Sequence, residues 1–444
     1  MSDLMAARLQ MAMSLGFHIV FAVVGMAMPL LMAIAEARHL RTGEAIYLDL
    51  AKRWAKGTAI LFAVGAVSGT VLSFELGLLW PTFMEHAGPV IGMPFSLEGF
   101  AFFLEAIFIG IYLYGWDRVS PRVHLASGIV VAVSGVASGI FVVAVNAWMN
   151  TPSGVRFENG AIVDIDLWQA FFSPAFPTQA LHMVLAAYAS VAIAVLGIHA
   201  WRLRAEPNNE FHRAAAKIAF VVAAVTVPLQ IASGHLAGEH LGTHQPVKLA
   251  AMESLFRSRT DAPLAIGGFP DVEAGTLEYA IEVPYALSIL ATGDPHGRVA
   301  GLEEVPRSDW PPVAVVHIGF QIMVAAGMAM LGLVAWGLWL RLRVGGFWKS
   351  RGFLRAATWA SPLGVIAVEA GWTVTEVGRQ PWVVRGFLRT SDAVTPMPGL
   401  WITLLVFTAL YLILGVVVIG MLRAHVFAAP HADEAPLSKV PPRG

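Results

Sequence analysis

Apolar and polar positions along this chain fall into long blocks, not into a half-buried helical or strand rhythm. Nine windows of about 20 predominantly apolar residues stand out, the length at which a helix crosses a bilayer. They are Ser14–Glu36, Gly57–Trp80, Ser96–Trp116, His124–Val145, Gln179–Trp201, Ala214–Ile231, Pro312–Trp339, Leu354–Trp372 and Leu400–Leu422. The connections between them are short, with one exception. From His235 to Pro311 the chain is polar and punctuated by Gly-Gly-Phe-Pro and Gly-Asp-Pro-His-Gly turns, too long for a simple link and suited to a functional loop. The pattern predicts an all-α integral membrane protein with about nine transmembrane helices and a long extracytoplasmic loop between helices six and seven. Residues 1–234 would hold helices one to six, 235–311 the loop, 312–425 helices seven to nine, and 426–444 a Pro-rich, polar cytoplasmic tail predicted to be disordered.

Orientation follows from where Lys and Arg collect. The first connection carries Arg38, Arg41, Lys52, Arg53 and Lys56; the third Arg118 and Arg122; the fifth Arg202, Arg204, Arg213 and Lys217; the seventh Arg341, Arg343, Lys349, Arg351 and Arg355. The second has none and the fourth only Arg156. Odd connections are therefore predicted to be cytoplasmic, with the N-terminus outside and the C-terminus inside. The eighth connection breaks the trend with Arg379, Arg385 and Arg389, which points to a local task such as neutralising an anionic group. The first apolar run is too long for the core of a secretory signal, and Asp3 precedes Arg8, so it reads as the first spanning helix.

Composition agrees. The chain has 444 residues, 57% hydrophobic and 13% charged, with a mean hydropathy of +0.67. Soluble domains carry about twice that charged fraction. A net charge of −1 without a basic cluster excludes a nucleic-acid partner. The chain lacks cysteine, which removes disulfides, thiolate zinc sites, iron–sulfur clusters and covalent haem attachment through Cys-x-x-Cys-His. Any metal chemistry must use His, Met, carboxylates or an inserted cofactor, and 14 histidines are available.

Charged groups within membrane helices cost several kcal/mol unless paired or bound, so each is a functional hypothesis. Placed by depth, several such residues fall in one outer layer. His18 lies near the outer end of helix one, His182 just inside helix five, Met323 some way into helix seven, and Glu376 after helix eight with Arg379 one turn on. Glu98 opens helix three, with Glu105 seven residues deeper on the same face, about 10 Å along the axis. Stacked carboxyls can relay protons or ligate; alternatively they pack helices together through hydrogen bonds. His18 and His182 can likewise be neutral interhelical histidines, and Met323 a gap-filler. A His and a Met on opposite sides of a flat cofactor would instead make a low-spin haem suited to electron transfer. His317, His235 and His199, at helix ends, are expected to be solvated or interfacial. Trp372 is either an aromatic-belt residue or a neighbour of whatever Glu376 binds.

These residues sit within motifs that resemble subunit I of the cytochrome bd-type quinol oxidases, from the N-terminus to about residue 425. The motifs are Arg8-Leu9-Gln10 followed by His18; Glu98-Gly99-Phe100-Ala101-Phe102-Phe103-Leu104-Glu105 followed by Gly115-Trp116-Asp117-Arg118; and the run from Asn146 to Gly154. His182, Lys248-Leu249-Ala250-Ala251-Met252-Glu253, Phe320-Gln321-Ile322-Met323-Val324 and the Gly371–Trp382 block follow in order. The resemblance implies three haems: a low-spin haem b held by His182 and Met323, and two high-spin haems, one a haem b and the other a haem d or a further haem b, served by His18 and Glu376. It implies that Glu98 is a ligand or proton donor at the oxygen site and that Glu105 lies on the proton path from the cytoplasm. Trp372 would lie between haems, and Arg379 would balance haem charge. Lys248 and Glu253 would belong to the quinol-oxidising part of the outer loop.

The implied function is a terminal oxidase subunit of aerobic electron transport in a prokaryotic inner membrane. It would oxidise quinol outside and reduce dioxygen to water with cytoplasmic protons, generating a proton motive force. A second integral subunit, subunit II, is the expected partner, and a small single-helix subunit a further candidate, alongside quinol, dioxygen and membrane lipid. A proton-coupled transporter would account for the two glutamates without a cofactor, and a haem electron-transfer subunit would use the haems without reducing oxygen. Three departures from the family pattern stand out. The glutamate spacing is seven rather than eight, Gln321 replaces a common Arg, and Ser73-Phe74-Glu75 places a glutamate two positions later than usual.

Overall fold

The computed structural model describes residues 1–158 and 160–427, so the predicted tail lies outside the described residues apart from Val426 and Phe427. The chain opens with four long helices, α1 (Asp3–Thr42), α2 (Ala45–Leu79), α3 (Pro81–Tyr114) and α4 (Pro121–Asn150). A hairpin of β1 (Arg156–Glu158) and β2 (Ala161–Val163) and a short α5 (Leu167–Phe171) lead to α6 (Phe176–Ala205), α7 (Glu210–His244) and a short α8 (Pro246–Met252). The long loop holds β3 (Leu264–Ile266), β4 (Phe269–Asp271), β5 (Thr276–Glu278), β6 (Ile281–Val283) and α9 (Ala286–Thr292). Then come α10 (Val313–Val344), α11 (Arg351–Ala360), α12 (Leu363–Val377), the β7 (Trp382–Val384) and β8 (Leu388–Arg389) hairpin, α13 (Thr390–Ala393) and α14 (Leu400–Leu422).

Local chemistry sets the helix ends. Ser2, Ser120, Asn209 and Ser350 each accept a hydrogen bond from a first-turn backbone N–H. Gly43 closes α1 in the left-handed region at φ 73°. Among the described residues, eight helices are long and apolar enough to cross a membrane. The eighth apolar segment, Leu354–Trp372, is broken: α11 and α12 meet at Ser361-Pro362, where proline cannot donate to the helical ladder. α12 then runs beyond Trp372 and carries Glu376 in its last turn.

Other helices also outrun their apolar windows. α3 starts at Pro81, so Glu98 lies mid-helix and does not open it. α4 extends through Asn146 and Asn150, and α7 passes His235 to end at His244. Hydropathy marks the stretch compatible with lipid, whereas helical hydrogen bonding continues wherever the next turns find partners.

Small residues let the helices approach closely, as membrane interfaces require. A Cβ on Gly364 of α12 would lie 2.3 Å from Ser190 Cα of α6, and one on Gly197 of α6 would lie 2.6 Å from the Ala357 carbonyl of α11. The largest core, including Leu31, Leu50, Ile193, Leu196, Phe220 and Phe353, fills the end of the bundle nearer the basic connections. The opposite end carries the long loop and is called the loop face below. There Trp80, Phe83, Trp148, Val384 and Leu388 form a second core.

In the loop, β3 pairs antiparallel with β6, and β4 with β5. Two α10 side chains hold it down. Gln321 donates to the Ala265 carbonyl at 3.0 Å and accepts from Gly267 N–H at 2.9 Å. His317 places its ring nitrogens 2.8 Å from the Met252 carbonyl and 3.2 Å from that of Gly267. His317 is therefore fully buried, contrary to the solvated role expected of a helix-end histidine, because the folded loop covers that end. His199 is also buried, 2.9 Å from His212 through their Nδ1 atoms, while His235 is exposed.

Candidate functional site

His18 of α1 and His182 of α6 share one local arrangement. Nδ1 of His18 is 2.9 Å from Ser68 Oγ of α2, and Nδ1 of His182 is 2.9 Å from Ser233 Oγ of α7. Each serine spends its hydroxyl hydrogen on a carbonyl one turn back: Ser68 on Val64 at 3.0 Å, Ser233 on Gln230 at 2.9 Å. A serine that gives its hydrogen to the carbonyl accepts from the ring, in the tautomer with the hydrogen on Nδ1 and the lone pair on Nε2. That is the tautomer in which imidazole binds a metal, held by an orienting partner. The Gln230 amide donates to Nε2 of His182 at 2.9 Å.

Met323 of α10 reaches α12, where a Cβ on Gly371 would lie 3.0 Å from its sulfur. Glycine leaves the thioether room beside Trp372, the next residue. Trp372 packs on a cluster from α1, α6 and α12 that includes Ile19, Val23, Ala187 and Val368.

Glu376 is held from two sides. Arg379 Nη2 donates to its Oε2 at 2.6 Å, and the Asn146 amide donates to Oε1. Arg379 is only 7% exposed, and its Nε and Nη1 lack partners, as does Nε2 of buried Gln245. Lys248, also buried, donates to Asn150 Oδ1 and to the Thr375 carbonyl at 3.2 Å. Asn150, Gln245, Lys248 and Arg379 line a cavity of about 150 Å³ together with Asp309, Trp382 and Arg385. Burial brings the Lys248 ammonium down to about 7, helped by Arg379 and opposed by Glu376. Unpartnered cationic donors around a small cavity suit the carboxylates of an anionic ligand.

Glu98 accepts from Ser138 Oγ of α4 at 3.3 Å. Glu105, buried, reaches between α1 and α4: its Oε1 lies 3.3 Å from where a Cβ on Gly135 would stand and 3.6 Å from one on Gly25. Lys248 and Glu253 diverge. Lys248 turns toward α4 and α12, while Glu253 accepts from Ala265 N–H at 3.0 Å in the loop and leaves Oε1 unpartnered. Burial pushes the Glu253 carboxyl up to about 7.

Among the described residues, no three His, Asp or Glu side chains converge as a cage for a free ion. The donors arrive singly from separate helices. The sequence reading passed over Ser68 and Ser233, and gave no role to Asn146 and Asn150. It noted Glu75 only as a departure from the family pattern and gave no role to Glu36 and Glu369, although carboxyls inside apolar helices were a readable signal. Glu75 accepts from Gln10 at 2.8 Å, and Glu369 abuts α1 at Gly16.

The family model described as "Cytochrome bd terminal oxidase subunit I" matches residues 6–430. A Bacillus subtilis (strain 168) protein provisionally named cytochrome bd menaquinol oxidase subunit I is 38% identical over 434 residues, covering 95% of this chain and 96% of that protein. The cytochrome bd ubiquinol oxidase subunit 1 of the same strain is 32% identical over 437 residues, covering 94% and 92%. The structure of bd oxidase from Geobacillus thermodenitrificans superimposes with a TM-score of 0.89 at 38% identity, over 95% of this chain and 99% of the other.

Proposed function

The chain belongs to the cytochrome bd terminal oxidase subunit I family, a multi-pass membrane subunit of a haem-containing quinol oxidase, and on that premise we propose what each candidate residue does. His182 and Met323 hold the low-spin haem b, and His18 and Glu376 each serve one of two high-spin haems, a haem b and a haem d or further haem b. Bound haem supplies one-electron transfer and an iron at which dioxygen is reduced. The observation that carries this reading is the serine-oriented tautomer of His18 and His182, which leaves each Nε2 a lone pair for iron, with the Gln230 amide to be displaced at His182.

The loop face lies outside the cytoplasm. Glu253 accepts a proton from quinol there, while Lys248, Arg379 and the Gln245 amide bind anionic carboxylates of the haems. Gln321 acts on the loop, not as a cation: its amide links Ala265 and Gly267. Trp372 separates haems as a packed aromatic wall. Glu98 and Glu105 pass protons from the cytoplasm toward the oxygen site. Because quinol protons leave on one side and the protons consumed come from the other, charge separates across the membrane without a conformational pump. The apolar face of α3, with Phe100, Phe103, Leu104 and Ile107 exposed, faces the second integral subunit or lipid.

Purified membranes expressing the oxidase should show several haem bands, a haemochrome ratio of more than one haem per chain, and quinol-dependent oxygen uptake. Haem bands without oxygen uptake would reduce the chain to an electron-transfer subunit, and colourless protein would overturn the assignment altogether.

A further inference from the structure

At the end of the bundle opposite the loop face lies a buried group that the assignment above leaves idle. Glu36 of α1 and His124 of α4 are each 2% exposed, and Tyr112 of α3 is fully buried. His124 Nδ1 is 2.8 Å from Glu36 Oε1, and its Nε2 is 2.9 Å from the Tyr112 carbonyl. A carbonyl only accepts, so Nε2 carries a hydrogen. One proton then remains between Nδ1 and Oε1, as a carboxylic acid on a neutral imidazole or as a carboxylate on an imidazolium. Both forms are neutral overall, which lowers the cost of burial. Glu36 Oε2 and the Tyr112 hydroxyl are both buried with no hydrogen-bond partner among the described residues, and the Tyr112 ring centroid lies 4.5 Å from that of His124. From α2, Lys52 lies 5.2 Å over the Trp116 ring, which in turn stacks 3.8 Å from the His124 ring.

Two stripes of polar residues, one on α3 and one on α4, run from this group toward the glutamates. On α3, Glu98, Glu105 and Tyr112 recur every seven residues, sharing a face at intervals of about 10 Å. On α4, His124, Ser127, Ser134 and Ser138 fall within about 80° of one another. Glycines fit the two stripes together. A Cβ on Gly128 would lie 2.6 Å from Tyr112 Cε2, and Gly135 leaves room for Glu105.

We propose that Glu36, His124 and Tyr112 form the proton-collecting site on the cytoplasmic side, feeding Glu105 along the α3–α4 seam. The proposal rests on the oxygen-reducing reading. Glu36 takes a proton from water at Oε2 while the first stays shared with His124. The Tyr112 phenol accepts that proton on its oxygen and releases its own hydrogen toward Glu105. Only O–H and N–H bonds form and break, and no electron moves. His124 is a positioning residue: it holds the carboxyl, but its Nε2 is spent on a carbonyl and passes nothing on.

The test uses Glu36→Gln and Tyr112→Phe in the complete oxidase. Glutamine keeps a hydrogen bond to His124 but cannot carry a proton, and phenylalanine removes one unpartnered oxygen from a retained ring. Haem content and anaerobic haem reduction by quinol should match the parent. Oxygen uptake should fall about tenfold or more in Glu36→Gln and several-fold in Tyr112→Phe, with partial recovery in Glu36→Asp. Parental turnover in haem-replete Glu36→Gln or Tyr112→Phe would overturn the proposal. If Glu36→Gln does not assemble, Tyr112→Phe decides alone. Absence of quinol-dependent oxygen uptake in the parent protein would instead overturn the oxidase reading.

Discussion

Ser233 stands 2.9 Å from His182 Nδ1 and gives its own hydrogen to the Gln230 carbonyl, so the serine can only accept from the ring. The same relay joins His18 to Ser68. One small hydroxyl thus selects the tautomer of a histidine on a neighbouring helix. Ser233→Ala should leave the fold intact and weaken low-spin haem binding by about 10- to 100-fold, the usual effect of losing an orienting partner. Titration of the haem-depleted complex with haem b, followed by its low-spin absorbance, measures this.

Met323→Leu preserves side-chain volume against Gly371 but replaces the thioether with a branched alkyl. The protein should fold and lose the low-spin reduced spectrum. An unchanged spectrum would remove Met323 from the ligand set.

Arg379→Gln would strip the charge partner from Glu376 while leaving the Asn146 amide in place. Glu376 is partly exposed, so losing its charge partner costs about 1–3 kcal/mol, less than for a fully buried pair. A lower thermal midpoint and a reduced high-spin haem content by pyridine haemochrome are expected; parental values for both would show that the pair carries no weight.

Glu253 has a folded-state carboxyl raised to about 7 by burial, against its ordinary value of 4.5. The folded chain therefore holds this proton more tightly than the unfolded chain. No cost exists below pH 4.5; stability is lost as pH rises between 4.5 and 7, and the full penalty, about 3 kcal/mol, applies above 7. Glu253→Gln keeps an acceptor for Ala265 N–H, so it should raise the thermal midpoint at pH 8 and leave it unchanged at pH 4. Quinol oxidation in the parent should rise through pH 7 as the carboxylate becomes available, and the variant should lack that inflection.

Gly364→Ala would set a methyl 2.3 Å from Ser190 Cα, a backbone atom that cannot yield cheaply. Overpacking of this kind costs about 1–3 kcal/mol. Because α12 also carries Trp372 and Glu376, haem content should fall with stability. A variant with full haem content and parental melting would show that α6 and α12 can separate without consequence.

Much was legible from one dimension. Hydropathy located the spanning segments, because a lipid-facing helix needs about 20 apolar residues wherever it lies in the chain. The cost of charge in a membrane flagged Glu98, Glu105, Glu376 and Arg379, and the Gly371–Trp382 block carried the family resemblance. What stayed hidden was pairing. Nothing local to Leu354–Trp372 announced how far the helix would run past its proline break, since loop packing sustains α12 to Val377. His317 read as a helix-end histidine and is buried only because a loop some 50 residues earlier folds over it. The tautomers of His18 and His182 depend on serines 50 and 51 residues away, and Glu36 meets His124 across 88. The sequence by itself determined which side chains must avoid lipid; only the tertiary structure decided which partner each would find, because a hydrogen bond or ion pair between helices is set by packing distance and direction, and neither is written in the order of residues along a single helix.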